Sequence, residues 1–294
     1  MIKAIFLDLD GTMLPFGGTR ATSSTEKALI AARDAGYQLF VSTGRHLPNI
    51  SGVDRSLFNG FISLNGQFCI VGNEIIRSHA IPRSDILTLL AYLEKHPFSC
   101  AFIERDAAYV NQGSARYDRV SSFIHLNMPV RTDYRRAADH AILQCLFFLD
   151  EASQEAPLKH MQHVVHTRWH PDFIDVVPHG GGKGKGVLSV LEHCGLTPDE
   201  ILCIGDGEND ISMLEIAGHA VVMGQASDRV KSYADFITAD VDGEGVYHAF
   251  RHYGIGNLPL LCVQITSQFQ AHKKKTTYLR QSPVLTMSIF SSVE

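Results

Sequence analysis

The feature that most constrains this chain is a short apolar run, Ala4–Leu7, which is followed at once by aspartates. The run predicts a buried β-strand, and residues two apart in an extended chain point to the same side. Asp8 and Asp10 should therefore project from the end of a core strand towards one place. Neighbouring carboxylates repel each other, and removing them from water costs free energy. A group such as a divalent cation can compensate for both effects. The competing interpretation is a strand that ends in an ordinary Asp-Gly turn at Gly11.

Composition and charge are typical of a soluble globular protein, with 45% hydrophobic and 19% charged residues among 294. The formal net charge of −5 gives no overall attraction for nucleic acid. No apolar run approaches the roughly 20 residues of a membrane span, and the first residues lack a basic-then-apolar signal pattern. The six cysteines show no C-x-x-C spacing, which favours reduced thiols. We therefore expect a cytoplasmic protein without nucleic-acid or membrane partners.

Strand and helix patterns alternate near both ends of the chain. A helix is predicted over Thr25–Ala35, with a capping box that begins at Ser23, and a weaker helical pattern runs from Arg45 towards Leu57. Another helix is predicted over Val187–Cys194. Short apolar runs predict strands at 4–7, 38–42, 61–64, 201–204, 220–223 and 236–238. This order indicates right-handed crossovers and an α/β fold with a parallel sheet.

The middle of the chain has a different character. From Ile81-Pro82 to about Pro178, helices and strands mix, and the strand pairs look antiparallel. This pattern predicts a separate α+β domain inserted into the first. The predicted organisation is a core of residues 1–81 and 179–255, an inserted domain of residues 82–178, and an irregular C-terminal extension of residues 256–294.

Polar residues follow a buried strand or open a helix at four places in the predicted core. In open parallel sheets ligands bind outside the carboxyl ends of the strands, so these places should meet at one edge. Carboxylates suit Mg²⁺, a hydroxyl and an exposed glycine amide suit an oxyanion, and an ammonium group adds a fixed positive charge. Taken singly, each place also fits an ordinary turn, connector or helix cap. The residues concerned are Asp8 and Asp10, Thr43 and Gly44, Lys183, and Asp206, Asn209 and Asp210.

Together these residue types fit phosphoryl transfer, which needs charge neutralisation and an in-line nucleophile. Our hypothesis is that Asp8, ionised and bound to the metal, attacks phosphorus and forms an aspartyl-phosphate. Asp10 would protonate the leaving oxygen and then deprotonate the water that cleaves the intermediate.

Four segments resemble, in order and spacing, the motifs of the haloacid dehalogenase-like (HAD) phosphatases. The later stretches Ile211–Leu214 and Val222–Ala226, together with Leu64-Asn65-Gly66, resemble the Cof-type subfamily and its sugar-phosphate phosphatases. The resemblance spans about residues 1–255 and implies a Rossmann-like core with a large α/β cap of type IIB. The four segments are Asp8–Thr12, Ser42–Arg45, Lys183-Gly184 and Gly205–Asp210.

The resemblance also implies a set of roles. Mg²⁺ would be bound by the Asp8 carboxylate, the Asp10 backbone carbonyl and Asp206. Asp210 is added to the metal site on its residue type alone, as a further hard oxygen ligand. Arg45 and Asn65 are candidates for contact with the substrate, and Arg168 is a further candidate from its place in the predicted inserted domain rather than from the resemblance. The residues implied to hold the phosphate are Leu9, Thr43, Gly44, Lys183 and Asn209.

The third motif holds two lysines, and either fits a phosphate-binding role. We prefer Lys183 to Lys185, since Lys183 lies five residues after Pro178 and twelve before Gly195, which fits the strand–lysine–helix spacing of the family. A nucleotide P-loop is disfavoured, because glycine follows each lysine where serine or threonine is needed.

The expected function is an Mg²⁺-dependent phosphatase of small phosphorylated metabolites, with sugar phosphates as the main class. The alternatives are a phosphomutase that uses the same intermediate and a non-catalytic metabolite-binding protein.

Overall fold

A computed structural model describes residues 1–123 and 128–259, apart from the Trp169 side chain. Most of the predicted C-terminal extension, residues 260–294, lies outside the described residues. The strands are β1 Ala4–Leu7, β2 Gln38–Ser42, β3 Gly60–Ser63, β4 Phe68–Val71, β5 Glu74–Ser78, β6 Cys100–Ile103, β7 Ala108–Val110, β8 Gln144–Phe147, β9 Val164–His170, β10 Phe173–Pro178, β11 Ile201–Gly205, β12 His219–Val222 and β13 Phe236–Ile237. The helices are α1 Ser23–Asp34, α2 Arg83–Lys95, α3 Ala115–Phe123, α4 Glu151–Leu158, α5 Lys183–Cys194, α6 Ile211–Leu214, α7 Asp228–Lys231 and α8 Gly245–His252.

The first sheet has eight strands in the order β13-β12-β11-β1-β2-β3-β4-β5. The strands from β13 to β3 are parallel, and β4 and β5 add an antiparallel hairpin at one edge. The register pairs Leu7 of β1 with Ile204 of β11 and with Val41 of β2. The carboxyl ends of these three strands therefore lie side by side, and the predicted parallel α/β core is confirmed.

Apolar side chains on one face of this sheet hold helices against it. Phe6 and Phe40 stack with ring centroids 4.9 Å apart, and both are fully buried. Val187 and Val190 of α5 and Met213 of α6 join the same cluster. Because α5 and α6 are fixed to the sheet, the residues at their amino ends are held beside the ends of β1 and β11.

The second sheet is antiparallel, with the order β7-β6-β8-β10-β9. Successive side chains of β8 point to opposite faces of this sheet. Cys145 and Phe147 lie in a cluster with Leu89 of α2, whereas Leu146 belongs to a second cluster with Phe173 of β10. The sheets thus separate as expected, while residues 1–259 form one compact unit, so the division into a core and an inserted domain stays a prediction.

Two of the helix predictions are wrong. The weak helical pattern towards Leu57 forms two short 3₁₀ turns, Leu47–Asn49 and Arg55–Leu57, because Pro48 and the intervening turns interrupt a continuous helix. Helix α1 is capped by the Thr22 side chain, which accepts a hydrogen bond from the Thr25 backbone N–H, rather than by Ser23. In the part of the chain that is described, no helix combines the length and hydropathy needed to cross a membrane.

Candidate active site

The carboxyl ends of β1 and β11 bring three aspartates together. Asp8 follows β1, Asp206 follows β11, and Asp210 lies one 3₁₀ turn further along. One carboxylate oxygen from each lies within 4.8 Å of the others, and all three residues are buried. Residues almost 200 positions apart in sequence thus meet as the strand-end reasoning predicted, and they offer the oxygen ligands that Mg²⁺ prefers.

Lys183 is the cationic member of this cluster. It is the first residue of α5 and is fully buried, and its Nζ lies 2.5 Å from Asp8 Oδ1 and 2.5 Å from Asp210 Oδ1. The amino end of α5 is held close to α6, because a side chain at Gly184 would meet the Ser212 carbonyl oxygen. Lys185, the alternative lysine, is exposed. The geometry therefore brings Lys183, and not Lys185, to the aspartates.

One ammonium group faces three carboxylates, and this imbalance sets the protonation of the cluster. Burial raises the pKa of Asp8 well above its usual range, against the opposing effect of Lys183. Burial and the charge of Asp210 raise the pKa of Asp206 to about 7. Burial by itself would lower the pKa of Lys183, but Asp210 and Asp8 outweigh it and keep this pKa above its usual value. The cluster accordingly has more negative charge than it can stabilise alone, and a divalent cation would balance it.

The Asp210 carboxylate holds the loop that follows β11. Its Oδ2 accepts hydrogen bonds from the backbone N–H groups of Asp206, at 3.0 Å, and Gly207, at 2.9 Å, while its Oδ1 accepts from Lys183. Both oxygens of Asp210 thus have protein partners, which leaves Asp8 and Asp206 as the carboxylates that are freer to bind a metal. Asp206 is oriented in turn by Thr12, whose Oγ1 donates to Asp206 Oδ1 at 3.2 Å.

Asp10 lies beside this cluster and lines the cavity, and its carboxylate is paired with Arg45. Arg45 Nη2 lies 2.5 Å from Asp10 Oδ1, and Arg45 Nε lies 2.8 Å from Asp10 Oδ2. The side chains of both residues are more than three-quarters buried. Arg45, a predicted substrate contact, is therefore paired with the predicted acid–base residue Asp10 in this structure.

The predicted phosphate-binding residues lie around the same edge of the sheet. Thr43 follows β2 and is buried, and its Oγ1 accepts from the Arg45 backbone N–H at 3.1 Å. Asn209 Nδ2 donates to Asn65 Oδ1 at 3.1 Å. Asn65 adopts a left-handed backbone conformation with φ of 52°, and this brings its side chain against Gly44. Leu9 is buried between Asp8 and Asp10.

A cavity of about 610 Å³ opens from these residues towards the second sheet. Asp8, Asp10, Thr43, Gly44, Arg45, Asp206 and Asn209 line one side, and Ile103, Gln144, Leu146, Arg168, Phe173 and Asp175 line the other. The two sides are joined by a hydrogen bond from Asn65 Nδ2 to Asp175 Oδ2, at 3.1 Å, and by the approach of His46 Nε2 to the Arg105 carbonyl, at 2.6 Å. The second sheet thus covers the strand ends of the first.

Arg168 lines the cavity, but its guanidinium donates hydrogen bonds to other groups of the protein. It donates to Gln154 Oε1 and to the backbone carbonyls of Leu149, His170 and Pro171. These bonds fix the turn between β9 and β10, and the substrate contact suggested for Arg168 stays a prediction.

Two buried polar residues on the cavity were missed by the sequence reasoning. Gln144 and Asp175 lie within the otherwise apolar strands β8 and β10 and are 1% and 4% exposed. The signal that could have found them is a single polar residue in an apolar run, where an unpaired polar group is costly. Thr12, which orients Asp206, belongs to the first sequence motif, but its spacing did not predict this role.

Comparison with known proteins identifies the family of this chain. The sequence profile of the haloacid dehalogenase-like hydrolases matches residues 5–250. The chain is 35% identical over 276 residues to the 5-amino-6-(5-phospho-D-ribitylamino)uracil phosphatase YwtE of Bacillus subtilis, with 83% of this chain and 96% of the relative covered. It is 30% identical over 256 residues to the pyridoxal phosphate phosphatase YbhA of Escherichia coli, with 81% and 93% covered.

Solved structures give the same result. A subclass IIB sugar phosphatase of the HAD superfamily superposes with a TM-score of 0.81 at 36% identity, and 86% of this chain and 99% of that chain are covered. A HAD phosphatase of Bacteroides thetaiotaomicron superposes with a TM-score of 0.80 at 32% identity, with 87% and 96% covered. The resemblance read from the four sequence motifs is confirmed, and the chain belongs to the haloacid dehalogenase-like hydrolases.

Proposed function

We propose that this hydrolase is an Mg²⁺-dependent phosphatase of small phosphorylated metabolites, with sugar phosphates as the main class, and that it acts through an aspartyl-phosphate. The observation that carries the proposal is the buried cluster of Asp8, Asp206, Asp210 and Lys183, of which Asp8 and Asp206 line the cavity. Phosphoryl transfer requires a nucleophile, a positive charge and oxygen ligands for a metal close to one another. Asp8, Lys183 and the aspartate oxygens would supply these in turn.

The donor set fits Mg²⁺, since it includes the buried carboxylates of Asp8 and Asp206, whose pKa values are raised by burial and by the neighbouring acidic charges. Asp8 and Asp206 would hold the ion through their side chains and Asp10 through its backbone carbonyl, while Asp210 orders the loop. When bound, Mg²⁺ would neutralise charge on the transferring phosphoryl group.

Asp8 is the nucleophile in this proposal. One Asp8 oxygen attacks phosphorus, the bond from phosphorus to the leaving oxygen breaks, and Asp10 gives that oxygen a proton. Water then attacks the aspartyl-phosphate, Asp10 takes a proton from it, and inorganic phosphate leaves with Asp8 restored. The Arg45–Asp10 pair must open first, because both Asp10 oxygens accept hydrogen bonds from Arg45.

The phosphate would be held by Lys183, the Thr43 hydroxyl, the Asn209 amide and the backbone amides of Leu9 and Gly44. All of these groups except Lys183 are uncharged donors. They can therefore keep their hydrogen bonds to the phosphoryl group throughout the reaction without a change in their own charge. Lys183 keeps its proton at neutral pH, because Asp210 and Asp8 raise its pKa.

The cavity between the two sheets supports a small leaving group and excludes a folded phosphoprotein. The relatives support the same class, since one acts on a phosphorylated ribitylaminouracil, one on pyridoxal phosphate and one on sugar phosphates, as their names state.

A panel of phosphate monoesters, assayed for phosphate release with and without Mg²⁺, tests the proposal. We expect release that requires Mg²⁺ and that is lost in Asp8→Asn. Release that is unaffected by removal of divalent metal would contradict the metal role. Conversion of a hexose phosphate to an isomer without phosphate release would instead identify a phosphomutase.

A further inference from the structure

Gln144 has an unsatisfied acceptor on the wall of the active-site cavity. Its Nε2 donates to Asp175 Oδ1 at 2.8 Å, while its Oε1 is buried and has no hydrogen-bond partner among the described residues. The orientation of the amide is fixed, because a carboxylate oxygen accepts from the nitrogen and not from the oxygen. Since a buried acceptor without a donor is costly, the missing donor is expected to come from the cavity that Gln144 lines.

The surroundings of Gln144 make this acceptor selective. Alternation along the strands puts Ile103, Leu146 and Phe173 on the same face of the second sheet, and all three line the cavity. Gln144 is paired directly with Ile103 in the register of β6 and β8. A polar acceptor therefore stands among apolar side chains, on the side of the cavity opposite the aspartate cluster.

Gln144 is also fixed in place through a chain of hydrogen bonds that leads to the other side of the cavity. Asp175 accepts from Gln144 and, through its second oxygen, from Asn65 Nδ2. Asn65 in turn accepts from Asn209, which we assign to the phosphate. The acceptor is thereby held in a defined position relative to the phosphate-binding loop, as a recognition group must be.

From these contacts we propose that Gln144 determines substrate specificity, with its Oε1 accepting a hydrogen bond from an O–H or N–H donor on the leaving group of the phosphate ester. The proposal rests on the phosphatase function proposed above. The donor is either a hydroxyl of a sugar or a hydroxyl or N–H of a heteroaromatic ring, and the apolar wall contacts the carbon skeleton that carries it.

The test compares Gln144→Met, which keeps the length of the side chain and removes its amide, with the wild-type enzyme. The substrates are 4-nitrophenyl phosphate, whose leaving group has no donor, and two donor-bearing series. One series is hexose 6-phosphates with their monodeoxy analogues, and the other is pyridoxal 5′-phosphate with its 3-deoxy analogue. Gln162→Met, at an exposed position of the same sheet region, controls for the substitution.

We expect Gln144→Met to lower kcat/KM about tenfold for the donor-bearing class and to leave 4-nitrophenyl phosphate within about twofold. Removing the recognised hydroxyl from the substrate should lower kcat/KM of the wild type by a similar factor and have no further effect in Gln144→Met. The series that shows this coupling identifies the source of the donor. Because the deoxy series in the wild type tests the same contact, the proposal can be tested even where the variant folds poorly.

Equal losses on all substrates would overturn the proposal in favour of a purely structural role for Gln144. Unchanged kcat/KM throughout would overturn it in favour of a bound water as the donor. Absence of turnover of every ester by the wild type would refute the phosphatase function itself, which separates that failure from a failure of this inference.

Discussion

Replacing Lys183 by methionine tests the central cluster directly. The substitution removes an ammonium group that is fully buried and bonded to two carboxylates, and it leaves a side chain of similar length. Removing one partner of a buried ion pair costs about 3–5 kcal/mol of the free energy of unfolding, because the remaining charge is left without compensation. We expect a loss in this range near neutral pH, together with loss of phosphatase activity.

The pH dependence gives the sharper test. In Lys183→Met the pKa of Asp8 should rise further, since burial already raises it and Lys183 is the group that opposes this effect. A carboxyl whose folded pKa exceeds its unfolded value favours the folded state below the unfolded pKa, and this contribution is lost as pH rises through the folded pKa. The cost of the substitution should therefore shrink in acid. The change is about 1.4 kcal/mol for each pH unit over which one carboxyl is protonated in the folded state but ionised in the unfolded chain.

The assay is urea unfolding of the metal-free protein at about pH 5 and about pH 8. Lys185→Met is the matched control, because Lys185 lies in the same helix but is exposed, and its loss should be within about 0.5 kcal/mol. A loss below about 1 kcal/mol in Lys183→Met, a cost that grows in acid, or equal losses in the two variants would refute the buried ion-pair interpretation.

Further predictions concern the aspartates. Asp8→Asn should lower phosphate release by at least about a thousandfold without loss of urea stability, because Lys183 keeps Asp210 as its partner and the cluster has one acidic group fewer; residual activity near the wild-type level would exclude Asp8 as nucleophile. Asp10→Asn should lower kcat by about 10²–10⁴ for alkyl phosphates but much less for 4-nitrophenyl phosphate, whose leaving group needs no proton; equal losses would argue against an acid role. Mg²⁺ should raise the thermal unfolding midpoint more at about pH 8 than at about pH 5, since the pKa of Asp206 near 7 means that protons compete with the metal in acid. A midpoint shift independent of pH would contradict binding through this carboxylate.

The position of the site could be predicted from sequence because it depends on strand ends in a parallel sheet. Once Ala4–Leu7 and Ile201–Gly205 are identified as neighbouring strands, Asp8 and Asp206 must lie at the same edge. The choice of Lys183 over Lys185 rested on spacing alone, and the close approach of Gly184 to α6 supplies its physical basis. The Arg45–Asp10 pair was not predicted, because the chain after Arg45 forms 3₁₀ turns where a helix was expected.

The wall of the cavity that faces the aspartates was beyond sequence reasoning for a different reason. Period-2 alternation in β8 predicts that Gln144 and Leu146 share a face, but not whether that face meets α2 or the first sheet. In the structure Asp175 of β10 is paired with Leu146, so it lies diagonally across from Gln144 and within reach of its amide. That contact depends on the register of two antiparallel strands about 30 residues apart, and a shift of one residue would turn Asp175 to the opposite face. Strand ends thus specify where Asp8 and Asp206 meet, whereas the Gln144–Asp175 contact depends on strand register, which only the folded chain determines.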